Sequence, residues 1–352
     1  MTNIYKTVEK LACGGDVTDA ELEEVLAADG DEAQYLRKAG AKVRERVYGD
    51  GIFIRGLIEI SSICRNDCLY CGIRRSNRAA QRYRLDADEI LECAKIGYAL
   101  GFRTFVLQGG EDLYFTDERL SDIVTRIKKA HPDVAVTLSV GERSRESYAK
   151  LREAGADRYL LRHETATAEH YASLHPPELT LENRMRCLRD LKELGYQTGC
   201  GFMVGTPGQT LGHIVRDLRF IKSFAPHMVG VGPFIPHKDT PLRDCPTGST
   251  SLTLNCLAVL RLMNPELLLP ATTALGTAES DGQLLGILAG ANVVMPNLSP
   301  AEVRGKYLLY NNKLATGIES AEGLGRLDEK LRSIGCHVTV SRGDCINFKN
   351  NK

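Results

Sequence analysis

Three cysteines in one short stretch are the residues of this chain best suited to chemistry. Cys64, Cys68 and Cys71 follow the apolar segment 51–63 at C-x3-C-x2-C spacing. Thiolates this close together can bind one metal centre, and an iron–sulfur cube held by three cysteines keeps one iron open for a substrate or cofactor. A structural zinc site would need a fourth ligand and usually shows paired short spacings. Three unrelated buried cysteines are the remaining alternative, which their clustering disfavours.

A second candidate element is the glycine pair Gly109-Gly110, followed by Glu111, at the end of a predicted strand. Paired glycines let the backbone approach a ligand closely. A tight turn would explain the same pair equally well. The glycine pair by itself therefore does not predict a binding site. Its position, one strand and helix after the cysteines, is what favours a ligand-binding role.

Charged residues recur in the segment predicted as the fourth strand. With a period of two, Arg158, Arg162 and Glu164 share one face, and Tyr159 and His163 take the other. Because helices cover the outside of such a sheet with apolar side chains, we expect the charged face to point inward. Buried charges need a partner or a ligand. The segment therefore predicts either a charged ligand in the interior or a structural ion pair.

Four further residues are weaker candidates. Arg184 lies in the first turn of a predicted helix, where the helix dipole disfavours a cation, so either a carboxylate ligand or a surface ion pair would explain it. Thr272 and Thr273 end the seventh predicted strand. Met295 lies in the eighth, where methionine more often fills the core than contacts a ligand.

Strands and helices alternate from residue 51 onward, which is typical of a parallel α/β sheet. Eight strand candidates favour a closed (β/α)8 TIM-type barrel, with an open doubly wound sheet as the alternative. We predict a helical cap at residues 1–50, the barrel at 51–300 and a C-terminal extension packed on it at 301–352. The strand candidates are Ile52–Ile63, Thr104–Gly109, Val134–Val140, Arg158–Glu164, Thr198–Val204, Met228–Phe234, Leu267–Thr273 and Asn292–Pro296.

The balance of charge argues against some classes of partner. The chain has 45 basic and 45 acidic residues and no basic tract, so we expect neither nucleic acid nor membrane as a partner. An apolar signal core is absent from the first residues, and eleven scattered cysteines do not form a disulfide framework. We expect a cytoplasmic protein.

The cysteine motif, with an aromatic residue before the third cysteine, resembles that of the radical S-adenosylmethionine (SAM) enzymes. The resemblance implies a [4Fe–4S] cluster on Cys64, Cys68 and Cys71, and SAM bound at the open iron and cleaved to a 5′-deoxyadenosyl radical. It also places Tyr70 near the adenine. In that family a Gly-Gly-Glu element binds the SAM amino group, which implies this role for Gly109, Gly110 and Glu111.

Between about residues 50 and 310, several blocks together resemble the [FeFe]-hydrogenase maturase family HydE. They include Leu107-Gln-Gly-Gly-Glu-Asp, Asp157-Arg-Tyr-Leu-Leu-Arg-His-Glu-Thr and Gly230-Val-Gly-Pro-Phe-Ile-Pro-His. The resemblance implies that Ser139, Glu164 and Arg184 help to hold SAM. It implies a substrate cavity lined by Arg158, Arg162, Thr272, Thr273, Met295 and Tyr307.

The same resemblance implies an organometallic substrate, a cysteine-bound iron carbonyl cyanide precursor of the hydrogenase H-cluster. The implied partners are the maturation proteins HydG and HydF, with reduced ferredoxin or flavodoxin as the electron donor. Because the tail carries only Cys336 and Cys345, we expect no accessory cluster there. The alternatives are a methylornithine synthase or biotin synthase acting on an organic substrate, and a non-catalytic iron–sulfur scaffold.

Overall fold

The computed structural model describes residues 3–314 and 319–348, and it begins with three helices. They are α1 (Asn3–Ala12), α2 (Asp19–Leu26) and α3 (Gly30–Tyr48). A capping box starts α2, since the Thr18 side chain accepts from the Glu21 N–H and the Glu21 carboxylate accepts from the Thr18 N–H. The buried faces of these helices belong to the same apolar cluster as the interior of the strands that follow.

The strands are short and parallel. In chain order they are β1 (Gly51–Ile54), β2 (Gly56–Ser61), β3 (Thr104–Gly109), β4 (Ala135–Ser139), β5 (Arg158–Leu160), β6 (Gln197–Val204), β7 (Met228–Pro233), β8 (Val293–Val294) and β9 (His337–Thr339). One sheet runs in the order β2-β3-β4-β5-β6-β7, and a second runs β8-β1-β9.

Backbone bridges join the two sheets into a closed barrel. Met228 in β7 bridges Leu268, and Pro270 bridges Val293 in β8, all in parallel. Strand β8 pairs with β1, which leads directly into β2. The chain therefore forms a TIM-type (β/α)8 barrel, in which β1 with β2 makes the first strand and residues 268–270 make the seventh.

The helices of the barrel and tail follow the predicted alternation. They are α4 (Ala87–Ala99), α5 (Asp117–Ala130), α6 (Arg145–Glu153), α7 (Ala168–Leu174), α8 (Leu181–Glu193), α9 (Leu211–Phe224), α10 (Thr250–Met263), α11 (Thr273–Ala278), α12 (Gly282–Leu288), α13 (Ala301–Arg304) and α14 (Leu324–Arg332). Asp86 and Glu89 form a capping box at the start of α4.

Four predicted strands differ from the structure. The fourth, predicted as Arg158–Glu164, ends at Leu160, and the eighth, predicted as Asn292–Pro296, is reduced to Val293–Val294. The first is divided at Arg55, because its lower half pairs with β8 and β9 whereas its upper half pairs with β3. A tilted barrel strand changes neighbours in this way along its length. The seventh, predicted as Leu267–Thr273, is reduced to two bridges, since Thr273 already begins α11.

The tail closes the N-terminal end of the barrel, which we call the base. Strand β9 pairs in parallel with β1. Beyond it, Asp344 accepts hydrogen bonds from Arg158 at 2.6 Å and from Gln197 at 2.6 Å. Arg342 pairs with both Asp344 and Asp157. This network fills the end of the barrel opposite the cysteine loop.

Across residues 3–314 and 319–348, none of the helices has both the length and the apolar composition needed to cross a membrane.

Candidate active site

The cysteine loop leaves the C-terminal end of β2 at the opposite end of the barrel, which we call the mouth. Asp67 ties the loop together, because its carboxylate accepts from Arg74 Nε at 2.7 Å and Nη2 at 2.6 Å, and also from Ser76. The hydrogen bonds from Arg74 hold the pKa of Asp67 well below its usual range. A short turn, from the Cys71 N–H to the Cys68 carbonyl, brings the second and third cysteines together.

A single arginine, which sequence reasoning missed, fixes the shape of this loop. The guanidinium of Arg82 donates to four backbone carbonyls, those of Ser62, Ile73, Arg74 and Asn77. Loop carbonyls without such a partner would be costly to bury. One planar donor group therefore organises the turn that carries the thiols.

The three thiols are partly buried, and their chemistry suits a metal cluster. Burial raises the pKa of Cys64, raises that of Cys68 strongly and raises that of Cys71 to about 12. Coordination to a metal deprotonates a thiol outright, so such groups are stable neutral until a cluster binds. Among the described residues, no three His, Cys, Asp or Glu side chains converge on a single metal ion. Cluster ligands bind different iron atoms and need not converge in this way.

The Gly109-Gly110-Glu111 element lies directly against the cysteine loop. A Cβ on Gly110 would come within 2.3 Å of the Ile63 carbonyl oxygen and 2.8 Å of Cys64 Cβ, so only glycine fits there. The Glu111 N–H donates to Cys64 Sγ at 3.4 Å. The Glu111 carboxylate pairs with Arg65 at 3.0 Å. The element thus positions the loop, and its acidic side chain is bound by neighbouring loops.

A cavity of about 290 Å³ extends from the cysteine loop into the mouth of the barrel. Glu111 lies outside it, on a neighbouring cleft of about 500 Å³. Of the predicted site residues, the cavity is lined by Tyr70, Cys71, Gly109, Ser139, Arg162, Glu164, Arg184, Thr272 and Tyr307. Cys64, Cys68 and Gly110 belong to the loops that border this cavity.

Arg184 and Glu164 give the cavity charged walls. Arg184 Nε donates to Glu142 Oε1 at 2.5 Å, and its Nη1 donates to the Arg162 carbonyl at 2.6 Å. Arg162 Nη2 lies 3.0 Å from Glu164 Oε2. These two atoms are close but badly oriented for a hydrogen bond, since both count as buried polar atoms without a hydrogen-bond partner. The pair is therefore an ion pair with unused hydrogen-bonding capacity facing the cavity.

Three predicted substrate residues lie elsewhere, which corrects the expectation for them. Arg158 faces the barrel interior as predicted, but it lies at the base, fully buried and bonded to Asp344. Met295 packs against the lower apolar layer of the barrel. The Thr273 hydroxyl donates to Glu319 Oε2 at 2.9 Å instead of facing the cavity. Whether such a residue reaches the cavity depends on how far along its strand it lies and on partners that are distant in the sequence.

The cavity also has walls that the sequence did not reveal. Leu309 and Tyr310, from the segment after α13, line it together with Tyr307, and Gln108 Nε2 lies 3.4 Å from the Tyr307 hydroxyl. The segment carries no periodic pattern, so no signal in it predicted this position. Phe234 and Ile235 also line the cavity, and they do fall within a sequence block already singled out.

Comparison with known proteins agrees with the barrel and the cysteine loop. Residues 58–221 match the model of the radical SAM superfamily. The chain is 48% identical over 300 residues to the [FeFe] hydrogenase maturase subunit HydE of Thermotoga maritima, covering 85% of each protein. It is 32% identical to 3-methylornithine synthase of Methanosarcina acetivorans, covering 81% of each.

Solved structures show the same architecture. A methylornithine synthase superposes with a TM-score of 0.84 at 28% identity, covering 95% of this chain and 97% of that one. HydG from Carboxydothermus hydrogenoformans, at 22% identity, shares the fold with a TM-score of 0.79. The chain belongs to the radical SAM superfamily and is a radical SAM enzyme. Within that superfamily it is closely related to the HydE maturase.

Proposed function

We propose that this enzyme uses a [4Fe–4S] cluster and SAM to act on a cysteine-bound iron carbonyl cyanide complex during assembly of the [FeFe]-hydrogenase H-cluster. One observation carries the proposal: a single cavity connects Cys71 with cationic and hydroxyl groups inside the barrel mouth. The 48% identity with a HydE maturase supports the same substrate class.

The proposed cluster ligands are Cys64, Cys68 and Cys71. Three thiols on a loop braced by Arg82 fit a cube that keeps one iron free for SAM. When bound, the reduced cluster supplies the electron that cleaves SAM. The chain itself shapes the loop, and it provides the Glu111 N–H as a donor to the Cys64 sulfur.

The proposed SAM-binding residues are Tyr70, Gly109, Gly110, Glu111, Ser139, Glu164 and Arg184. Five of them line the cavity next to Cys71. Gly110 lies against Ile63 and Cys64 of the cysteine loop, and Glu111 lines the neighbouring cleft. Arg184 suits a carboxylate, because its planar guanidinium keeps a positive charge at any accessible pH. Glu164 suits hydroxyl groups or an amine, because an ionised carboxylate only accepts hydrogen bonds.

Arg162, Thr272 and Tyr307 are the proposed substrate contacts. Arg162 Nε and Thr272 Oγ1 are buried atoms without a hydrogen-bond partner, and their side chains line the cavity. Buried donors without partners are available to a ligand. A cation and hydroxyls suit an anionic iron complex with cyanide ligands better than they suit an apolar acid such as dethiobiotin.

The segment 306–314 provides a roof over this cavity. The Gly72 N–H donates to the Leu309 carbonyl at 2.8 Å, which joins the roof to the cysteine loop. The ammonium of Lys313 reaches down to Glu59 at 2.6 Å. Excluding water in this way strengthens polar interactions inside and protects reactive intermediates from side reactions.

We also propose HydG-type and HydF-type maturation proteins as partners, with reduced ferredoxin or flavodoxin as the electron donor. The identity with HydE supports the maturation partners.

The division into segments 1–50, 51–300 and 301–352 is likewise a proposal, supported by the change from helices to strands at Gly51.

The test is an anaerobic reaction with three substrates in parallel. Reduced enzyme and SAM are mixed with the iron–cysteine carbonyl cyanide complex, with lysine or with dethiobiotin. We expect SAM-dependent changes in the carbonyl and cyanide infrared bands only with the iron complex. Conversion of lysine to methylornithine would assign the enzyme to the methylornithine synthase branch. Absence of SAM cleavage in every arm would favour a scaffold.

A further inference from the structure

The backbone at Glu164 adopts a conformation that residues with a Cβ rarely take. Its φ is 65°, and the Thr165 N–H donates to the His163 carbonyl at 2.8 Å. Glu164 is thus the central residue of a γ-turn with positive φ, a rare and strained arrangement. Three other non-glycine residues of the described chain have positive φ, and none of them lines the cavity. Strain of this kind at a site calls for a functional explanation.

A β-bulge accompanies the turn. Leu160 pairs with Gly199 at the end of β5, and the next bridge joins Glu164 to Phe202. One extra residue is therefore inserted opposite β6. The alternation of side chains is kept across the bulge: Arg162 and Glu164 line the cavity, while His163 points outward and is fully buried under α9.

One carboxylate in α9 binds the chain on both sides of Glu164. His163 Nδ1 accepts from the Gly201 N–H at 3.3 Å, so in the neutral ring Nε2 carries the proton. That Nε2 donates to Asp217 Oδ1 at 3.3 Å. The Ala166 N–H donates to the same oxygen at 2.5 Å. The residues before and after the turn are thus fixed to one point.

Asp217 is an unusual residue for the inner face of a barrel helix. Its side chain is completely buried, and Oδ2 has no hydrogen-bond partner among the described residues. A buried carboxylate with incomplete partners lowers stability. It makes no contact with the cavity, so its effect on the site is transmitted by the backbone of residues 163–166.

We propose that Asp217 and His163 are positioning residues, which hold the γ-turn and aim the Glu164 carboxylate into the cavity. The conformational part stands on the geometry alone. The consequence for SAM binding rests on the function proposed above for Glu164.

The first test measures the conformation without any ligand. Glu164→Gly and Glu164→Ala are each made with and without Asp217→Ala, and urea unfolding midpoints are compared. With Asp217 present, the glycine variant should unfold at the higher midpoint, because glycine pays no Cβ penalty at positive φ. In the Asp217→Ala background this gap should fall by about half or more, since the turn can relax. An unchanged gap would overturn the proposal.

The second test measures SAM affinity of the anaerobically reconstituted enzyme. Asp217→Ala should raise the Kd for SAM about tenfold, the effect of losing one hydrogen bond to a charged group. Asp217→Asn, whose Oδ1 still accepts both bonds, should raise it less than about threefold. In a Glu164→Ala background, Asp217→Ala should add nothing. An equal loss in both backgrounds would show that Asp217 does not act through Glu164.

Asn255→Ala is the matched control. Asn255 is a buried polar residue of α10 that donates to the Leu26 and Ala28 carbonyls and makes no hydrogen bond to Asp217 or to residues 163–166. Asn255→Ala should lower the urea midpoint without changing the midpoint difference between the Glu164→Gly and Glu164→Ala variants or the affinity for SAM.

Should Asp217→Ala not fold, His163→Ala removes the other half of the contact and is interpreted in the same way. If Glu164→Ala keeps normal affinity for SAM, Glu164 does not bind SAM. The positioning role of Asp217 is then tested only by the difference between the urea midpoints of the Glu164→Gly and Glu164→Ala variants.

Discussion

At the base of the barrel, the guanidinium of Arg158 donates to Thr104 Oγ1, the Arg342 carbonyl and Asp344 Oδ1. At the mouth, Arg162 leaves Nε and Nη2 without a hydrogen-bond partner. The two arginines belong to one continuous stretch, and both face the interior. The chain's own tail supplies one carboxylate and one carbonyl to Arg158, although Arg158 Nε and the Nε and Nη2 atoms of Arg55 are also buried without a hydrogen-bond partner. The two arginines differ because Arg158 donates a hydrogen bond to an anion of the chain, whereas Arg162 makes only a poorly oriented ion pair with Glu164.

The difference separates a structural end from a functional end. Burying a charge is costly unless it is paired, and at the base Asp344 pairs with Arg158 within the chain. Polar atoms left without partners at the mouth lower the stability of the free enzyme and can be compensated by a ligand. Four variants or pairs of variants test this contrast, from the largest expected effect to the smallest.

The largest effect is expected from Cys68→Ala, at the mouth. Losing one of three cluster ligands should abolish SAM cleavage and reduce bound iron from about four per chain to near zero. The fold should survive, since the base and core are untouched. Iron content and 5′-deoxyadenosine are measured after anaerobic reconstitution. Cys13→Ala, at an exposed cysteine far from the loop in sequence, is the control and should change neither quantity. Full cleavage by Cys68→Ala would refute the ligand assignment.

The two arginines should respond in opposite ways to the same substitution. Arg158→Met should lower the free energy of unfolding by about 3 kcal/mol, the lower end of the cost of breaking a buried pair, because Asp344 keeps Arg342 and Gln197. Arg162→Met should change stability by less than about 1 kcal/mol and chiefly reduce turnover of the substrate. Urea unfolding and turnover are compared for both. Equal losses of stability would remove the contrast between base and mouth.

The sequence predicted the mouth better than the base. The cysteine spacing, the glycine pair and the inward face of the Arg158 segment are local patterns, and each is a property of a few neighbouring residues. The partner of Arg158 is Asp344, which lies 186 residues later. No local pattern relates two such positions. The γ-turn at Glu164 could not be predicted from the sequence for a similar reason, since the contacts that hold it come from Asp217 in α9.

The two ends should also respond oppositely to pH. Burial raises the pKa of Glu319, next to Thr273 at the mouth, from 4.5 to about 7. Its neutral form is favoured in the folded state, so its contribution is complete below about pH 4.5 and is lost as the pH rises through 7. Although burial opposes it, the Arg158 guanidinium, with bonds from Arg342 and Gln197, lowers the pKa of Asp344. The contribution of Asp344 is therefore present above about pH 4 and is lost in acid.

Stability measured from pH 3 to 8 separates these two groups. In the wild type, ionisation of Glu319 should lower the free energy of unfolding by about 2 kcal/mol between pH 4.5 and 7. Glu319→Gln should abolish this decline. Asp344→Asn should lower stability at neutral pH and flatten the decline below pH 4. A Glu319→Gln profile parallel to that of the wild type would show that Glu319 is ionised throughout this range.

The smallest expected effect is the change in stability when either of two adjacent threonines is replaced. The test is whether the two replacements change stability in opposite directions. Thr272 precedes α11 as its N-cap, yet its hydroxyl makes no capping bond and Oγ1 is buried without a partner in the cavity wall. Thr272→Val keeps the shape and removes an unsatisfied hydroxyl, so it should raise stability by about 1 kcal/mol while weakening substrate binding. Thr273→Val removes the hydrogen bond to Glu319 and should lower stability by about 1 kcal/mol. Unfolding midpoints and substrate KM are measured for both variants. A stabilised Thr272→Val with unchanged KM would mean that this hydroxyl serves no ligand, and the mouth would then differ from the base only in its packing.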